Sequence, residues 1–208
     1  MTNQADNEVI TCTTPIARFK KGFAPQDYKS IIAAGQPWED STFNRNRSTS
    51  ILWESFPKLN GPETENMYKK WRRLSAIEPE ATLFGTLDGN NDVVQGALGD
   101  CYFLAGVHAY TEFPELFDRV FVTKNANAAG MYLFNVYIRG VPTVVAIDDF
   151  LPTYRKSLIY TKVSADKSTW VPLLEKAFAK VMGNYENIEG GNHAEAFKFL
   201  SNAPATKF

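Results

Sequence analysis

The chain has 208 residues, 44% of them hydrophobic and 22% charged, which suits one good-sized domain or at most two small ones. Lys+Arg number 22 against 23 Asp+Glu, a formal charge of -1, so no net field draws nucleic acid or an anionic membrane as a main partner. No apolar run approaches the ~20 residues of a membrane span, and the opening MTNQADNEVITCTTP has neither the apolar core of a signal peptide nor the Gly at position 2 that myristoylation needs.

Residues 1–24 show no sustained period and read as a tail or loosely docked extension, with a small basic cluster at Arg18, Lys20 and Lys21. Pro25 then opens PQDYKSIIAAG, where Tyr28, Ile31 and Ile32 share a helical face and Gly35 suits the C-cap. From Pro37 to Gly61, Trp38, Phe43, Trp53 and Phe56 stand among Asn, Ser and Pro, the pattern of irregular chain pinned by large aromatics. Pro62 starts a second expected helix through Trp71, with Lys69, Lys70, Arg72 and Arg73 as a solvated basic side.

Turn residues crowd at Asp88–Asn91, and QGALG follows. A helix is expected from about Asp100 to Tyr110, because CYFLAGVHAY has a continuous apolar body and no proline. PELFDRVF (114–121) reads as a short helix begun by Pro114. MYLFNVYI (131–138) and TVVAIDDF (143–150) are β-branched and aromatic-rich, and the short Arg-Gly-Val-Pro link makes them an antiparallel pair. SLIY (157–160) is expected as a third strand. WVPLLEKAFAKVM (170–182) is the strongest helix, with Leu173, Leu174, Ala177, Phe178 and Val181 as its buried face and Gly183 at its end. Gly190–Gly191 and a short helix over Glu195–Leu200 close the chain. Helices, then a small meander, then helices make an α+β domain, in which a central cysteine-bearing helix packs with a small antiparallel three-stranded sheet.

There are two cysteines, far apart, and no disulfide framework. A reducing cytosol with both thiols free is the expectation. Cys12 lies in the polar tail with no local activator. Cys101 stands in QGALGDCYFLAG, between Gly-Asp and an apolar helix. A helix N-terminus favours a thiolate through its unpaired N–H groups and dipole. Gly96 and Gly99 permit a tight approach to such a helix, and Asp100 is placed to cap it. The Cys101 N–H and an amide six residues upstream, Gln95, are the two donors an oxyanion hole needs. The competing reading is an ordinary buried cysteine at the start of an apolar helix. A core cysteine, however, requires neither the glutamine nor the two glycines.

QGALGDCYFLAG closely resembles the catalytic-cysteine segment of the calpains, intracellular cysteine proteases of papain-like fold. VAIDDFLPT (145–153) and WVPLLEKAFAKVMGNYENIEGG (170–191) resemble two further motifs of that family, and DYKSIIAAGQPWEDSTF (27–43) is similar to the segment preceding its first helices. The likeness covers about residues 27 to 200, in order. It implies that residues 25–208 form the first, cysteine-bearing subdomain, the N-terminal half of a papain-like fold. By the same resemblance Cys101 is the nucleophile, Gln95 helps bind the oxyanion, and the backbone of Gly190 and Gly191 pairs with an extended polypeptide substrate. A protein backbone can run beside such a peptide only where no side chain intervenes.

Three departures matter. Tyr102 replaces the family's Trp after the cysteine. The family's calcium site implies an Asp at position 92, which is Asp92, but Ser168 stands where a second carboxylate is expected. Calcium takes six to eight oxygens, so Asp166 or Asp88 would have to substitute, against the reading of Asp92 as a turn residue after Asn-Asn. Third, a thiol protease needs a base, and in papain-like enzymes a His oriented by an Asn supplies it from the second half of the fold. His108 lies two turns beyond Cys101, ~10.5 Å along the axis and too far for a bond to the sulfur. His193 follows Gly-Gly but matches no catalytic position of the family. Ser201–Ala203 stands where the family has a second Gly-Gly. The His and Asn are therefore expected in a second subdomain beyond Phe208.

The resulting expectation is the cysteine-bearing half of a calpain-like endopeptidase, inactive or nearly so alone, needing no cofactor for the chemistry. The alternative is a non-catalytic peptide-binding or regulatory half-domain.

Overall fold

The computed structural model describes residues 23–44, 70–85 and 93–204. Helix α1 (Tyr28–Ala34) ends on Gly35 at φ 64°, a left-handed conformation that glycine adopts without strain. Its Tyr28, Ile31 and Ile32, with Ala24 and Trp38, pack on a small apolar cluster of Ala129, Met131, Leu133 and Ala146.

That cluster is one face of a hairpin, β2 (Met131–Ile138) and β3 (Val141–Asp148), paired antiparallel from Met131↔Asp148 to Ile138↔Val141. Arg139 and Gly140 both take positive φ, 52° and 77°, as a two-residue hairpin turn matching the strand twist requires. The other face, Tyr132, Phe134, Val136, Ile138, Val145 and Ile147, joins the main core. Both faces being covered explains why the strands read as nearly continuous apolar runs.

The main core is built from α3 (Cys101–Thr111), α4 (Pro114–Val120), α5 (Trp170–Met182) and α6 (His193–Ser201) against that face. Phe103 of α3 stacks on Phe178 of α5 at 4.2 Å, and Phe199 of α6 meets both rings edge-on. Helices α3 and α6 touch so closely that a Cβ on Gly106 would sit 2.6 Å from that of Ala196.

Four expectations need correction. Trp71 does not end a helix: β1 (Trp71–Arg73) pairs with β4 (Phe150–Tyr154), and its ring is buried against Phe43 and Tyr185. A short helix, α2 (Leu74–Ile77), follows it; residues 62–69 lie outside the described residues. The α+β arrangement with a three-stranded antiparallel sheet is present, but that sheet is β1–β4–β5, with β5 (Ser157–Leu158), and the hairpin stands apart from it. The strand expected over 143–150 breaks at Asp149 because Asp148 turns inward, accepting bonds from Asp40 N and Phe150 N. Finally, α5 has no solvent face from Trp170 to Lys180; even Glu175, Lys176 and Lys180 are buried, while Val181 is only half-buried. Its charged groups find partners inside the protein, which is how a helix carrying them is buried all round.

Candidate active site

Cys101 is the first residue of α3 and is exposed. The segment before it is clamped to the chain after β5: Ala97 N donates to Ile159 O at 3.0 Å, and Lys162 N to Val94 O at 2.9 Å. A Cβ on Gly96 would run into the Ile159–Tyr160 backbone, so only glycine permits that approach. Gly96→Ala is expected to lower the unfolding free energy by about 1–3 kcal/mol, read from urea unfolding. Wild-type stability would mean that the loop detaches without cost. Within the clamped loop, Gln95 Nε2 donates to Leu98 O at 2.6 Å. One amide hydrogen of the expected oxyanion donor is thus spent on holding its own side chain in place.

Gly190 N donates to Gly99 O at 2.9 Å, tying the Gly-Gly pair to the residue two before Cys101. The two glycines differ in what they require. Gly190 sits at φ 71° with nothing within 4 Å of a Cβ position, whereas a Cβ on Gly191 would strike the Tyr102 ring. Tyr102, which replaces the family's Trp, is therefore the floor under Gly191. Both glycines are exposed. The structure brings Gln95's loop, Cys101 and Gly190–Gly191 together around that one bond.

Asp100 occupies the N-cap position of α3, but its side chain makes no cap bond. The carboxyl points inward and is wholly buried, while its backbone carbonyl accepts from Phe103 N at 2.8 Å and Leu104 N at 3.1 Å. Against it lies the carboxyl of Glu175 from α5, also buried. Burial pushes the Asp100 carboxyl up to about 6, the neighbouring Glu175 acting the other way. Burial, then the charge of Asp100, holds Glu175 well above the usual carboxylate range. Tyr102 is pushed up to about 12 by burial and by Glu195 and Asp100. Glu175 was absent from the sequence-derived site because it reads as one more polar residue on an amphipathic helix.

The two histidines lie elsewhere. His108 is exposed on α3. His193 is exposed at the first position of α6, its carbonyl 3.8 Å from the Cβ position of Gly106. Its backbone therefore lies beside the middle of α3, ~7.5 Å along the axis from Cys101.

Asp92 and Asp88 lie outside the described residues. Ser168 is buried, its Oγ at 2.5 Å from Ser164 Oγ and its N–H on Asp166 Oδ1, which also accepts from Ser164 Oγ. Of the residues expected around a calcium ion, Ser168 and Asp166 are thus bonded to each other and to Ser164. Among the described residues no group of three or more His, Cys, Asp or Glu is placed to hold a metal ion.

A family model described as "Calpain family cysteine protease" matches residues 38–208. The chain belongs to the calpain family. It is 31% identical over 195 residues to Calpain-5 of Caenorhabditis elegans, covering 88% of this chain and 28% of that protein. It is 34% identical over 172 residues to Calpain-B of Drosophila melanogaster (81% and 18%) and 37% identical over 131 residues to Calpain clp-4 of C. elegans (62% and 18%). The calpain domain here therefore spans less than a third of the length of the curated relatives it matches. Its α+β arrangement, with the Cys101-bearing α3 packed by α5 and α6, is that of a papain-like catalytic domain.

Proposed function

We propose that this calpain domain supplies the nucleophile half of a cysteine endopeptidase and takes its base from a second subdomain. The observation that carries the reading is the exposed thiol of Cys101 at a helix start, joined to the Gly190–Gly191 pair through the Gly99–Gly190 bond. An extended polypeptide lies along Gly190–Gly191, its scissile carbonyl over Cys101. The thiol proton passes to a His of the second subdomain, held in orientation by an Asn. The Cys101 sulfur then bonds to the carbonyl carbon, whose oxygen takes the negative charge. Gln95 Nε2–H and the Cys101 N–H hold that oxygen. The Leu98 bond fixes the Gln95 amide beforehand, so little reorganisation is needed when charge develops. The tetrahedral species collapses, the amine leaves with the proton from His, and water hydrolyses the thioester. Calcium is assigned no step. A reducing cytosol, which keeps Cys101 a free thiol, belongs to the same reading.

The test is turnover of a fluorogenic peptide. The 208-residue chain is expected to match its Cys101→Ala variant. Joined to a calpain second subdomain carrying His and Asn, it is expected to gain about 10³-fold or more, all of it lost with Cys101→Ala. Turnover by the chain alone that disappears with Cys101→Ala would overturn the half-site. A joined protein that binds extended peptides without cleaving them would favour a non-catalytic binding domain.

A further inference from the structure

The carboxyl of Asp100 is the least explained group near Cys101. It is wholly buried, yet neither oxygen receives an N–H or a side-chain hydroxyl from the described residues. What faces it is the Glu175 carboxyl, whose two oxygens each stand 3.3 Å from Thr161 N. Two carboxylates cannot both be ionised in such contact, since like charges at low dielectric repel strongly. A single proton between them turns the repulsion into a charge-assisted O–H···O⁻ bond. The α3 N-terminus favours the anion on Asp100. Thr161, its backbone N 3.3 Å from both Glu175 oxygens and its side chain beside them, favours an anion on Glu175 less than burial and Asp100 oppose it.

We propose that Asp100 and Glu175 share one proton, with Glu175 as donor near neutral pH, and that this pair positions Cys101. The bond anchors the residue whose carbonyl closes the first turn of α3, and so fixes the backbone that carries the thiol and the Cys101 N–H. It also limits the buried negative charge beside the thiol to one. Both are positioning residues: they act through α3 rather than on substrate.

The groups facing the pair come from every element around it. Tyr185, after α5, is pushed up by burial and then by Glu175, and stays neutral below the alkaline range. Tyr102 on α3, raised by burial and then by Glu195 and Asp100, stays neutral there as well. Lys162, after β5, donates to Leu158 O and Ile159 O and interacts with Glu175. Glu189 lies against Gly99, and Glu195 on α6 faces Tyr102; both are exposed. Among them Asp100 is the group displaced into the window near pH 6.

The proposal uses the reading of Cys101 as nucleophile, but its test needs no turnover and so succeeds or fails separately. Alkylation of Cys101 by iodoacetamide is followed by peptide-resolved mass spectrometry, which separates it from Cys12, between pH 5 and 8.5. In the wild type the logarithm of the rate is expected to bend near pH 6, where Asp100 ionises. Asp100→Asn should lack the bend and react about threefold or more faster at pH 7, a buried negative charge having been removed. Glu175→Gln still donates to Asp100 and should keep both the bend and a rate within about twofold of wild type. Glu175→Leu, with no donor, should move the bend to higher pH. Superimposable profiles for wild type, Asp100→Asn and Glu175→Leu overturn the proposal, as does Glu175→Gln behaving like Glu175→Leu. If Glu175→Leu does not fold, the contrast between Asp100→Asn and Glu175→Gln decides.

Discussion

Lys176→Met is expected to destabilise the chain by about 3–5 kcal/mol. The Lys176 ammonium is fully buried and has three hydrogens for three acceptors: Asp148 Oδ1 at 2.5 Å, Asp148 O at 3.0 Å and Phe150 O at 2.7 Å. It also lies 5.1 Å from the centre of the Trp71 ring. Methionine keeps most of the volume but leaves the Asp148 carboxylate buried beside two carbonyls that have lost a donor. Removing one partner of a buried pair costs far more than the pair contributes, because the charge left behind has lost water as well as its partner. Lys176→Met combined with Asp148→Asn should recover part of the loss, since the stranded charge is gone. Urea unfolding measures all three proteins. An exposed pair, Lys124 with Asp118, serves as the control: both side chains are well hydrated, so Lys124→Ala should change little. A cost for Lys176→Met no larger than for the control would mean that the lysine is solvated.

The same pair shows what the sequence could and could not reveal. The bounds of α5 follow from its apolar spacing and from Gly183, and α3 begins at Cys101 because the helix-forming run begins there. The β2–β3 hairpin follows from two β-branched runs and a short link. Periodicity, however, treats Glu175, Lys176 and Lys180 as a solvated stripe. Their burial depends on Asp100, Asp148 and Asp40, which are 75, 28 and 140 positions away. No local pattern encodes such distances. One signal was present: VAIDDFLPT and LLEKAFAK, both singled out as motifs, carry the two ends of the Asp148–Lys176 pair. Asp149 stops the strand for the same reason, its neighbour being committed inward while its own carboxylate takes Arg73 at 2.5 Å.

At the site, the sequence singled out Cys101, Gln95, Gly190, Gly191 and Asp92; the structure bonds Gly190 to Gly99, two residues before Cys101, and Gln95 to Leu98, while Asp92 lies outside the described residues. Asp100 was expected to cap α3 with its side chain. Its carboxyl turns inward, buried against Glu175, and makes no cap bond. The cap rule describes an exposed helix end, where the side chain has only the helix to bond. Here a second acid lies behind it.

Stability is expected to fall as the pH rises from about 4 to about 7, Asp100 alone contributing on the order of 2–3 kcal/mol. Asp100 releases its proton near its ordinary 3.8 in the unfolded chain but keeps it up to about 6 when folded, because it is buried. Between those values the folded chain binds more protons, so unfolding becomes easier with each step in pH. Its contribution is complete below 3.8 and is lost as the pH passes about 6. Glu175, raised by burial and by Asp100, and Asp149, raised by burial against the pull of Arg73, act with the same sign. Asp40 has the opposite sign: burial pushes it up, but Lys180 and Thr42 hold it below 3.8. Its contribution is therefore present throughout this window and is lost only in more acidic solution. Urea unfolding at pH 4.5 and pH 7.5 reads the difference directly. Asp100→Asn should remove the part of the fall that lies below about pH 6 and leave the part owed to Glu175, whose burial keeps it raised without Asp100. A wild type whose stability is flat or rises across the interval, or a fall of equal size in Asp100→Asn, would show that Asp100 stays ionised in the fold.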